Sequence, residues 1–133
     1  MTATVRFHTF HEMVGVMSQN VPHALVQDMW SRLERVIRTA SLAYGAKDRA
    51  PISNLIDHCL SKHPVVTREV ICELHQMRSL RNQCAHGRVP PLCVEEASAY
   101  AYRAWDILSA IAWNRRDFLA LPSRPLDAHV PTA

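Results

Sequence analysis

Glycine is scarce in this chain, with three among 133 residues, and that scarcity argues against many short strands joined by tight turns. Long apolar runs are missing as well. Nowhere do 18 apolar residues follow one another, so no membrane-spanning helix is expected. The opening stretch, MTATVRFHTFHEM, has no apolar run behind a positive charge, and no secretory leader is expected. Cysteines 59, 72, 84 and 93 form no CxxC pair, and without a secretory context they read as free thiols in a reducing cytoplasm. Lysine is nearly absent, since 13 of the 15 cations are arginine. Arginine grips phosphate or carboxylate with a planar fork, which lysine does not have. The bias hints at a phosphate-bearing partner, although genomic base composition alone also produces it.

What is present describes an ordinary folded domain. The apolar fraction is 48%, the charged fraction 20% and the net charge +3, within the range of chains that bury a core. Apolar residues recur at helical spacing in five segments. Phe10, Met13, Val14 and Met17 predict a first helix over 8–18. Asn20-Val21-Pro22 supplies a cap and a proline suited to the first turn of a second helix, expected over 22–44 and stopped by Gly45. Its inner stripe is Leu25, Val26, Met29, Trp30, Leu33, Ile37 and Ala40, with Arg32, Arg35 and Arg38 on the other side.

Residues 48–51 read as a turn and 52–61 as a short third helix, which Pro64 breaks. Thr67 is the expected cap of a fourth helix, 68–84, which ends before Gly87 and Pro90-Pro91. A fifth, 94–119, presents Ala97, Ala101, Ala104, Trp105, Leu108, Ile111 and Ala112 inward. The expected fold is therefore all-α, an up-and-down bundle of four to five helices over 1–121 without sheet. Trp30, Leu33, Leu74, Met77, Trp105 and Leu108 are its predicted core, and 122–133 is expected to be a flexible tail.

One segment stands out chemically, Arg78-Ser79-Leu80-Arg81-Asn82-Gln83-Cys84-Ala85-His86-Gly87. Val70, Leu74, Met77 and Arg81 share one helix face, so a guanidinium continues an apolar, inward stripe. A buried guanidinium is costly unless paired. Arg81, Asn82 and His86 together offer a permanent cation, an amide and a titratable imidazole at one helix end. An imidazole can take a proton from a ribose 2′-hydroxyl or give one to a leaving oxygen, and a guanidinium can stabilise a phosphorane-like transition state. The structural alternative is two cations at a helix C-terminus, each worth about 0.3–1 kcal/mol against the helix dipole.

Arginine, asparagine, three residues and histidine at a helix end, here within LRNQCAHG, resembles the signature of the HEPN superfamily, the higher eukaryotes and prokaryotes nucleotide-binding domain. In helix order the resemblance spans about residues 8–119, but its informative part is that short segment. It implies a homodimer in which two motifs meet to form one metal-independent endoribonuclease site without a cofactor. Arg81 and His86 would then be the catalytic pair and Asn82 the polar helper, with a place in toxin, phage-defence or RNA-processing systems. RNA, a second copy and a cognate antitoxin or neighbouring-gene protein are the implied partners. Some members serve only as silent RNA-binding or interaction domains. A subgroup regulated by small nucleotidyltransferases carries a tyrosine two residues after the histidine; here that position is Arg88, which argues against the same regulation.

Other residues carry weaker expectations. Arg32, Arg35, Arg38, Arg78 and Arg88 are candidate phosphate contacts, set against a solvated helix face. The remaining histidines (8, 11, 23, 58, 63, 75 and 129) are scattered, and no metal site is expected from their spacing. Glu69 and Glu73 read as a solvated helix side, and Cys84 as a packing residue, not a nucleophile.

Overall fold

The computed structural model describes residues 2–87, 91–115 and 127–131, with side chains described over 5–87 and 91–113. The body is an all-α helical bundle of α1 (Phe10–Asn20), α2 (Pro22–Ser41), α3 (Ile52–His58), α4 (Arg68–Ala85) and α5 (Val94–Arg115). A two-stranded antiparallel ribbon joins the chain ends, pairing β1 (Thr2–Arg6) with β2 (Asp127–Pro131) from Thr2 opposite Pro131 to Arg6 opposite Asp127. This corrects the expectation of no sheet; of the expected tail only 127–131 is described, as β2, and the rest of 122–133 lies outside the described residues. Thr2, Thr4 and Val5 in β1 suit an extended backbone, and each strand supplies the ladder partners the other lacks. The ribbon contacts α2 through β2, and the expected end of α5 at 116–119 falls outside the described residues.

Capping chemistry explains the helix starts. Thr9 Oγ1 accepts from the Glu12 amide at 3.0 Å, while the Glu12 carboxylate accepts from the His8 amide at 3.0 Å. Thr67 caps α4 as expected, accepting from Val70 N at 3.2 Å. Asn20 does not cap α2. It ends α1, donating to Val16 O at 2.7 Å; Val21 is the N-cap of α2, and Pro22 opens its first turn. After Ser41 a 3₁₀ turn, Leu42–Tyr44, runs into Gly45, whose φ of +85° halts the helix at little steric cost.

α2 is the axis of the molecule, packed by α1, α3, α4 and α5. Four helical neighbours narrow its outer face to an exposed row of Gln27, Ser31 and Arg35. Leu25, Val26, Met29, Trp30, Leu33, Ile37 and Ala40 are buried as expected, and Val36 and Arg32 join them. Arg32 therefore corrects the solvent-facing arginine stripe. It is 8% exposed, and its Nε donates to Asp28 Oδ2 at 2.8 Å, which offsets the cost of burying the charge. Leu74, Met77 and Leu108 are core residues as well. Trp105 is half-buried, stacked on Phe10 with ring centroids 4.8 Å apart. Ala97, Ala101 and Ala104 are fully buried, and their small side chains let α5 lie close along α2.

Candidate functional site

The last turns of α4 position the Arg81-to-His86 segment. Leu74 and Met77 are buried, Val70 and Arg81 half-buried, so the guanidinium does extend the inward stripe toward one pole of the bundle. Arg81 Nη1 donates to Asn82 Oδ1 at 3.1 Å, which turns the amide oxygen to the cation and leaves the amide NH₂ free to donate elsewhere. Tyr100 of α5 stands beside them. Its hydroxyl donates to Met77 O at 3.1 Å, the carbonyl one helical turn before Arg81. Burial pushes the Tyr100 phenol well above the ordinary tyrosine range; nearby Cys84 adds to that, and Arg81 acts in the opposite direction.

His86 is the C-cap of α4. Its amide bonds to Asn82 O at 3.1 Å and Gln83 O at 3.2 Å, and Gly87 follows at φ +77°, a left-handed turn suited to glycine. The His86 side chain is exposed, with no side-chain hydrogen bond among the described residues. The fold thus joins Arg81 to Asn82 directly and places His86 at the same helix end, without a side-chain hydrogen bond among the described residues. Cys84 is 5% exposed, which matches its reading as a packing residue and withholds the thiol from substrate.

Just beyond His86, Leu92 N donates to His23 Nε2 at 3.3 Å. This bond anchors the segment that follows α4 to the first turn of α2, so His23, Arg81 and His86 lie toward the same pole. The acceptor role requires the unprotonated Nε2. Neither His23 nor Tyr100 was singled out in the sequence. Tyr100 had a usable signal, adjacent to the inward position Ala101, whereas His23 had none.

The candidate phosphate contacts separate. Arg32 is buried on Asp28; Arg38 binds Glu34 Oε2 at 3.3 Å and Ala50 O at 2.8 Å. Arg35 is exposed, and Arg78 is half-buried with its Nε lacking a hydrogen bond. Arg88 lies outside the described residues. The two expected solvated carboxylates differ as well. Glu69 is exposed in the first turn of α4, its carboxyl held below the usual range by its own backbone amide and the Thr67 hydroxyl. Glu73 is half-buried and bonds Arg103 Nε at 2.7 Å.

Among the described residues no group of three or more His, Cys, Asp or Glu side chains is placed to hold a metal ion. Among them, too, no helix is long and apolar enough to cross a membrane. Compared with known proteins, the chain matches no family model, no curated protein and no solved structure.

Proposed function

We propose that the chain is a HEPN-type, metal-independent endoribonuclease acting as a cytoplasmic homodimer, with a composite site built from two copies of Arg81, Asn82 and His86. One observation carries the reading. The exposed His86 imidazole sits at the same helix end as a half-buried Arg81 held by Asn82. Metal-free scission of RNA needs one group to remove the 2′-hydroxyl proton and another to protonate the leaving 5′-oxygen. A single chain offers one histidine of the motif, so a two-fold contact between poles, through the end of α4 and the start of α5, supplies the second from His86 of the partner subunit. The 2′-oxygen attacks phosphorus, the P–O5′ bond breaks, and a cyclic phosphate and a 5′-hydroxyl result. Arg81 stabilises the added charge on the phosphorane as it forms. A cognate antitoxin or neighbouring-gene protein fits the toxin or phage-defence setting that the resemblance implies.

The second reading is a catalytically silent domain that keeps the fold and binds RNA or protein. The internal pairing of Arg32 and Arg38 favours it, because it removes two cations from the row expected to face phosphate. Cleavage of total RNA in EDTA by the purified protein distinguishes the two. In the nuclease, His86→Ala and Arg81→Ala each lower cleavage by about 10²- to 10⁴-fold, Cys84→Ser retains it, and EDTA has no effect. His86→Ala remains folded because the ring is exposed. Equal cleavage by wild type and His86→Ala rejects the site, and RNA binding without cleavage by either establishes the second reading.

A further inference from the structure

Arg78 stands one turn before Arg81 on α4, and the nuclease reading makes no use of it. Its side chain is half-buried, and its Nε is buried without a hydrogen bond. Among the described residues no hydrogen bond or ion pair reaches its two terminal nitrogens either, and these are not buried. A guanidinium is always charged, and each of its N–H groups donates. Leaving such a donor buried and unbonded is costly, so a group of this kind calls for an explanation, a missing anion among them.

Helix geometry sets Arg78 beside the motif. His75, Arg78 and Asn82 follow at spacings of three and four and share one face of α4, and Arg81 lies three residues on from Arg78. The Arg81 guanidinium bonds the neutral amide of Asn82 and no carboxylate among the described residues. Asp57 of α3, the carboxylate that reaches this face, is paired with His75 Nε2 at 2.7 Å, one turn further back. Two guanidiniums therefore stand one turn apart with no anion between them. Like charges at this spacing repel, and oxyanions from outside relieve both the repulsion and the unbonded Nε.

One small anion satisfies one arginine, whereas a strand of successive phosphates satisfies both. The face is also clear of the two-fold contact. Leu80, which borders the groove between α4 and α5, lies two residues on from Arg78, about 200° around the helix and so nearly opposite.

We propose that Arg78 is a phosphate-binding residue, holding the RNA backbone phosphate next to the one that Arg81 and His86 engage. The identity of the strand rests on the nuclease reading, but the test does not depend on cleavage.

That test uses the full chain and a single-stranded oligoribonucleotide with every 2′-hydroxyl methylated, which keeps the phosphates and leaves no 2′-hydroxyl to attack them. By fluorescence anisotropy Arg78→Ala weakens its binding about tenfold. The same variant lowers the dependence of log affinity on log salt by about 0.7, the share of one phosphate contact on a single strand. Arg78→Lys returns the charge and restores the salt dependence. Arg68→Ala, which removes an exposed cation at the opposite end of α4, changes neither quantity. In the proton–nitrogen NMR spectrum, inorganic phosphate shifts the Arg78 Nε–H resonance. The circular dichroism melt of Arg78→Ala stays close to wild type, since no bond within the chain is lost, and on cleavable RNA the variant raises KM and leaves kcat unchanged.

Wild-type affinity and salt dependence in Arg78→Ala overturn the inference, whether or not the protein cuts RNA. An Arg78 resonance that phosphate does not move, or a wild type that binds no oligonucleotide, overturns it as well. Responses of Arg78 to phosphate and oligonucleotide without any cleavage uphold it and reject the nuclease.

Discussion

The two long faces of α5 follow opposite rules. Toward α2 it presents Ala97, Ala101, Ala104, Leu108 and Ile111, all buried, and the helices lie close. Toward α4 it presents Tyr100, Arg103 and Ile107, and a groove remains. Both faces belong to one helix, so helix propensity does not distinguish them. Side-chain size and polarity do. Small residues let backbones approach, whereas a phenol bonded to a carbonyl and a guanidinium bonded to a carboxylate hold α4 at the distance those bonds need. The first seam supplies stability, and the second leaves surface.

Truncating the closed seam has the largest effect. Leu108→Ala removes a fully buried side chain and is expected to cost about 2–5 kcal/mol, whereas Leu80→Ala, half-buried at the groove, costs about 1 kcal/mol or less. Urea denaturation of both variants measures the contrast, and equal losses would break it.

Enlarging residues sharpens the comparison next. Ala101→Leu forces bulk between α5 and α2 and is expected to cost about 1–3 kcal/mol. Ala99→Leu, two positions away but facing the open groove, changes stability by about 0.5 kcal/mol at most. Thermal melts of this pair report whether the groove has room that the closed seam lacks.

The smallest effect concerns the bond that spans the open seam. Tyr100→Phe loses one hydrogen bond to Met77 O, worth about 1 kcal/mol, and leaves the ring's packing in place. The folded-state phenol titrates above its unfolded value because burial disfavours the phenolate. Its contribution is therefore fully present below about pH 10, the unfolded tyrosine value, and is lost as pH rises above it. Stability measured against pH should fall less steeply above that point in Tyr100→Phe than in wild type, and coincident alkaline limbs would remove Tyr100 from the account.

Much of this was legible along single helices. The apolar stripes of α2 and α4, the Thr67 cap and the stop at Gly45 all follow from chemistry within a few residues of one another. So did the inward continuation of Arg81 and the exposed helix-end position of His86. Arg32 was not legible, because a helix packed by several neighbours buries residues that a one-sided amphipathic pattern assigns to water, leaving only a narrow exposed row of Gln27, Ser31 and Arg35.

What the linear pattern settled is which residues avoid water on each helix, since periodicity compares neighbours three and four apart. Tertiary structure alone decided how the helices meet: His23 holding Leu92 across 69 residues, Arg103 reaching Glu73, the groove between α4 and α5, and β1 pairing with β2. Each of these depends on the separation of two distant segments in space, and that separation is set by the volume and polarity of side chains from both at once.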